Sequence, residues 1–146
     1  MNNEIGKALT IVIPVRFRQC TLPRVLEYYK DFPGRVVIAD ASPEPYKDID
    51  KWPYVEYCFS PNKPWMETMV DILQTVDTKY VVKPCDDDFI VLSSLEPSVR
   101  FLEENDDYVT VCGQEVALFD THLGYETMEY IMENKHLDSY SDSPSE

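Results

Sequence analysis

The chain has 146 residues, 27 Asp/Glu against 13 Lys/Arg, and a formal net charge of −14. That length suits one domain with a real core, and 44% hydrophobic with 12% aromatic residues argues against disorder. The charge argues against nucleic acid or an anionic membrane surface as partner, since both are bound through Lys and Arg.

The charge is uneven. Residues 1–64 hold nine Lys/Arg and eight Asp/Glu, whereas residues 65–146 hold four and nineteen. The longest apolar runs are too short for a transmembrane segment, and "MNNEIGK" lacks the pattern of a signal peptide. A cytoplasmic location is the resulting expectation. Cys20, Cys58, Cys85 and Cys112 lie apart without a CxxC pair and read as four separate, partly buried thiols.

Along the chain, "LTIVIPV" (9–15) reads as a strand buried on both faces, as in a parallel sheet. Thr21 is a candidate N-cap for "LPRVLEYYKDF", with Pro23 in the first turn and Leu22, Val25, Leu26 and Tyr29 on one face. Pro33-Gly34 ends that helix, and "RVVIAD" (35–40) is a second buried strand closing at Asp40. "YVEYCF" (54–59) predicts a third strand, and "WMETMVDILQTV" (65–76) a helix with Met66, Met69, Val70 and Leu73 at helical spacing.

"YVVKPC" is the fourth strand, and Ser93 with Glu96 predicts a capping box for a helix through Asn105. "YVTVCGQEVALF" (108–119) predicts a fifth strand and "GYETMEYIMENKHL" a last helix. Residues 1–137 are expected to form one domain and 138–146 a disordered polar tail. Strands alternating with helices imply an α/β fold, a mostly parallel, doubly wound sheet with helices on both faces. Ligands in such sheets bind beyond the carboxyl ends of the strands, where strand order reverses.

At that edge lie Arg16 and Arg18, Asp40, and the triplet Asp86-Asp87-Asp88. Adjacent carboxylates repel, so water or a cation must hold them ionised. Mg²⁺ and Mn²⁺ take one or two carboxylates and complete their shell from water and phosphate. Asp40 suits a base N–H, and Arg16 or Lys63 a phosphate. The plainer alternatives remain: a solvated acidic loop, a capping Asp40, and basic residues that only face water. The chain has no GxGxxG, no GxxxxGK[ST] and no GxSxG, which argues against dinucleotide oxidoreductases, P-loop NTPases and serine hydrolases.

Taken in order, "IPVRFR", "ADAS", "SPNKPWMETM" and "KYVVKPCDDDF" resemble the landmarks of family 2 glycosyltransferases, over roughly residues 8–119. The family has an "IPTYNR"-like segment after the first strand, a D-x-S loop after the second, and a DxD-type motif after a later one. The resemblance implies a Rossmann-like GT-A fold, a UDP- or GDP-type nucleotide-sugar donor, Mn²⁺ or Mg²⁺, and a glycan, lipid or protein acceptor. It would set Asp40 on the nucleobase with Ser42 in the same loop, Val15 and Arg16 beside the base, and Asp86 on the ribose or sugar. Asp87 or Asp88 would hold the metal bridging the diphosphate.

This chain departs from the family in two places. "VRF" stands for Thr-Tyr-Asn in the first loop, and the segment after Asn62 lacks the family's small-residue run. Only 58 residues follow Asp88, where the family carries its acceptor half. Glu115, Asp120, Glu126 and Glu129 are the carboxylates there, and no motif singles out a catalytic base. The implied function is metal-dependent glycosyl transfer. The alternatives are a nucleotide-sugar-binding domain whose acceptor site comes from a second chain, and an acidic interaction domain.

Overall fold

In the computed structural model, which describes residues 2–114, the continuous apolar run becomes β1 (Leu9–Val15), buried at every position but Pro14. It is flanked on one side by β2 (Arg35–Asp40) and on the other by β4 (Tyr80–Val82), with β3 (Val55–Phe59) beyond β2. All pairings are parallel and the order is β3-β2-β1-β4. Sequence order therefore reverses between β1 and β4. The expected α/β architecture with a parallel sheet is present.

Both faces of the sheet are covered. On one, Leu9, Ile11, Ile13 and Val15 pack with Val36 and Ile38 against α2 (Leu22–Tyr29) and α4 (Leu92–Glu104). On the other, Val12, Val37 and Ala39 meet Met69 and Ile72 of α3 (Trp65–Leu73). Each fully buried aliphatic side chain of this kind contributes roughly 1.5–3 kcal/mol. A short helix, α1 (Asn3–Lys7), was not foreseen; the Asn2 side chain caps it by accepting from the Glu4 N–H (3.0 Å).

Several local expectations are corrected. The β4 ladder stops at Val82, because Pro84 has no N–H to donate and β1 pairs with β4 only over Leu9–Ile11. Thr21 is helical in conformation and makes no side-chain cap; its hydroxyl donates to the Arg18 carbonyl (2.7 Å). The Ser93–Glu96 capping box does not form. Val91 is the N-cap, and Glu96 instead accepts from the Asn2 N–H and from Arg100.

α3 buries Thr68, Met69 and Ile72, leaving Met66, Val70 and Leu73 exposed, since a helix apolar nearly all round can present only one face to the sheet. Residues 108–114 pair with no strand, and Val109 is 94% exposed. The rest of the expected fifth strand, the last helix, the tail and the four carboxylates beyond Gln114 lie outside the described residues. Among the described residues no helix is long and apolar enough to cross a membrane. The cysteines are free, with Cys20, Cys85 and Cys112 more exposed than expected and Cys58 half-buried.

Two measurements test this packing. A Cβ on Gly34 would lie 2.3 Å from the Gly6 carbonyl oxygen and 2.5 Å from that of Leu9. Gly34→Ala should therefore cost about 1–3 kcal/mol in urea unfolding, while Gly113→Ala, whose Cβ meets nothing within 4 Å among the described residues, should be neutral. An unchanged midpoint for Gly34→Ala would show that α1 does not sit against this turn.

The second concerns alkali. Burial, helped by Glu27 and Asp31, pushes the Tyr54 phenol up to about 12, and its hydroxyl donates to the Leu26 carbonyl. A folded-state value above the ordinary one means stability complete below about pH 10 and lost as pH rises toward the folded value. Burial also raises Tyr29 and Tyr57. Tyr54→Phe should reduce, and not abolish, the loss of stability between about pH 10 and 12.

Candidate functional site

Three loops meet at the carboxyl edge of the sheet and are tied to one another through the backbone. The Ala41 N–H donates to the Val15 carbonyl (2.9 Å), and the Ser60 N–H to that of Asp40 (2.8 Å). The Phe17 N–H donates to Ser42 Oγ (3.1 Å). Phe17 has a φ of 63° and is 67% exposed. A bulky residue in the left-handed region is strained, and the bond to Ser42 is what holds it there.

Asp40 is the most deeply set charge of the edge, with no exposed surface. Its Oδ2 accepts from Gln19 Nε2 (2.7 Å) and the Tyr57 hydroxyl (2.6 Å), and its Oδ1 from the Ser42 N–H (2.8 Å). Gln19 also donates to the Glu44 carbonyl (2.7 Å), and the Tyr57 oxygen accepts from the Tyr46 N–H (2.7 Å). Asp40 and Ser42, expected on the donor, thus face chain groups here. They tie the first two loops to β3 and do not line the neighbouring cavity.

The aspartate triplet divides. Cys85 to Asp88 form a tight turn in which the Asp88 N–H donates to the Cys85 carbonyl (3.2 Å), and Asp88 Oδ2 accepts from the Cys85 N–H (3.3 Å). Asp88, expected as a metal ligand, therefore closes the turn. The other two converge: Asp86 Oδ1 and Asp87 Oδ1 lie 2.6 and 2.7 Å from the same nitrogen, Nη2 of Arg18. Asp86 is buried and Asp87 exposed.

Their acidities separate accordingly. Burial pushes the Asp86 carboxyl up against the pull of Arg18, while the Arg18 hydrogen bond holds Asp87 below its ordinary value. The two carboxylates push the Arg18 guanidinium up, Asp87 most through its hydrogen bond. The turn is carried by α2. The Ile90 N–H donates to the Tyr29 hydroxyl and the Ile90 carbonyl accepts from that of Tyr28, both at 2.9 Å, and Arg24 lies over the Phe89 ring.

Between β1 and β4, where strand order reverses, a cavity of about 300 Å³ opens. Val15, Arg16, Arg18 and Asp86 line it. Lys63, named with Arg16 as a candidate for phosphate, pairs with Asp71. Lys83 takes its place at the cavity, with its ammonium 5.9 Å from the centre of the Trp65 ring. Trp65 and Lys83 were missed because nothing in the sequence brings the start of α3 to the end of β4. Crossover topology does.

The residues suit a divalent ion in one respect: two carboxylate oxygens already converge on a single cationic point. That is the number of protein ligands an open Mg²⁺ or Mn²⁺ site needs, although among the described residues no group of three His, Cys, Asp or Glu gathers to hold one. Comparison with protein-family models finds no match to this chain, and comparison with curated proteins finds none. The reading of the site therefore rests on its residues.

Asp40→Asn would turn an amide N–H toward a donor that now finds an acceptor. The expected cost is about 1–3 kcal/mol of stability, with Tyr57→Phe costing less, about 1 kcal/mol. Equal unfolding midpoints for Asp40→Asn and the parent chain would deny the carboxylate this framework role.

Proposed function

We propose that the chain is a donor-binding domain of GT-A type, holding a nucleoside-diphosphate sugar with Mn²⁺ or Mg²⁺ and serving glycosyl transfer. The observation that carries this reading is the charge of the cavity. In a chain of −14, the cavity is lined by Arg16 and Lys83, which have no ion pair among the described residues, and by Arg18, which is shared between Asp86 and Asp87. Low-dielectric walls strengthen such a local field, which favours an anion of more than one charge. The position at the reversal of strand order and the motif order point the same way.

In this reading Arg16 and Lys83 meet phosphate oxygens, and Trp65 offers a flat face to a sugar or base. Asp86 and Asp87 would hold the metal, which when bound neutralises charge on the departing nucleoside diphosphate. Asp40 acts at one remove, fixing the loops that carry Val15 and Arg16. A second reading, a binding domain completed by another chain, is favoured by one fact. Among the described residues Asp86 is the only carboxylate on the cavity, and it is committed to the cation, so no base is at hand for an acceptor hydroxyl.

Calorimetry of UDP, GDP and CDP with and without Mn²⁺ separates these ideas. Binding that needs Mn²⁺ and falls at least tenfold in Asp87→Ala is the expected outcome, with quenching of Trp65 fluorescence that is absent in Trp65→Phe. Failure of all three nucleotides to bind would sink the donor-site reading for this chain.

A further inference from the structure

We propose that the Arg18 guanidinium is a displaceable resident cation. It neutralises Asp86 and Asp87 while the site is empty, and a divalent ion expels it toward the cavity, where it joins Arg16 and Lys83 in binding the anion. This rests on the preceding reading, that the site takes a divalent ion with a diphosphate. Metal and anion then bind cooperatively, because one frees the residue that the other uses.

The two cations compete for the same oxygens. Arg18 Nη2 stands 2.6 Å from Asp86 Oδ1 and 2.7 Å from Asp87 Oδ1. A metal ion bound to the same two oxygens, at about 2.1 Å from each, would take the lone pairs that Arg18 now uses and repel its charge. Leaving is easy for Arg18. Its side chain is half exposed, and among the described residues its guanidinium pairs with no other carboxylate. Its backbone stays fixed, since the Arg18 carbonyl accepts from both the Thr21 N–H (3.0 Å) and the Thr21 hydroxyl (2.7 Å).

The destination is already built. Arg18 lines the same cavity as Arg16 and Lys83, neither of which is ion-paired among the described residues. While Arg18 is held by Asp86 and Asp87, its charge is spent on them. Once it is released, the cavity gains a cation with bidentate phosphate geometry. Thermodynamic linkage makes the coupling reciprocal, and such couplings are typically about 5–150-fold.

The test is a titration of the full chain with Mn²⁺ alone, then with inorganic pyrophosphate at fixed free Mg²⁺, on the parent and on Arg18→Gln. Without the competing guanidinium, Arg18→Gln should bind Mn²⁺ alone at least about fivefold more tightly. It should also lose most of the metal-dependent gain in pyrophosphate affinity. Pyrophosphate–metal complexes in solution are common to both proteins and cancel in the comparison.

Should Arg18→Gln fail to fold, the parent chain itself is decisive. The guanidinium NMR signals of Arg18, assigned by their absence in Arg18→Lys, should change from ion-paired to freely exchanging as Mg²⁺ is added. Mn²⁺ binding to the parent with no gain in Arg18→Gln, or Arg18 signals indifferent to bound Mg²⁺, would overturn the displacement and leave the donor site standing. Failure of both proteins to bind Mn²⁺ would overturn the displacement and the metal-dependent reading together.

Discussion

Burial of β1 on both faces is the constraint on which the rest of this structure depends. A strand without a solvent face needs neighbours on both edges and cover above and below, which the chain supplies with β2, β4, α2, α4 and α3. Parallel pairing then delivers every strand's carboxyl end to the same edge. Residues far apart in sequence, from Val15 to Asp86, become neighbours around one cavity. The loops gather at that edge because parallel pairing leaves nowhere else for them to go.

That edge must also accommodate buried charge, and it does so in two ways. Asp40 is satisfied by neutral donors from the first loop, its own loop and β3. Losing any of them would leave a buried carboxylate with fewer donors, so this arrangement is framework. Asp86 is satisfied by an arginine whose side chain is half in water. The buried carboxylate needs a cation beside it, while the guanidinium that supplies it reaches into water. The same residue type is thus held by neutral donors at one strand end and by a half-exposed cation at another.

Legibility follows the range of the interaction. β1 and β2 were readable to the residue, because continuous β-branched runs bounded by turn residues are local signals. α2 was readable from its apolar stripe, though its N-cap was not, since Thr21 has a nearer acceptor in the Arg18 carbonyl. β4 was read too long, as its length is set by how far β1 pairs with it. The face that α3 buries could not be read either. With apolar residues nearly all round, only the sheet chooses.

The site divides on the same principle. Its location, its aspartate cluster and its parallel α/β setting were determined by the sequence itself, because strand ends and the residues that follow them are fixed by local pattern. Which aspartate is buried, which closes a turn and which shares a cation was decided by the tertiary structure alone. Arg18 reaches Asp86 and Asp87 only after a strand crossover, Tyr28 and Tyr29 must grip the Ile90 backbone, and it is Lys83, not Lys63, that lines the cavity. The partner of a charge is a matter of distance in space, and distance in space is what folding sets.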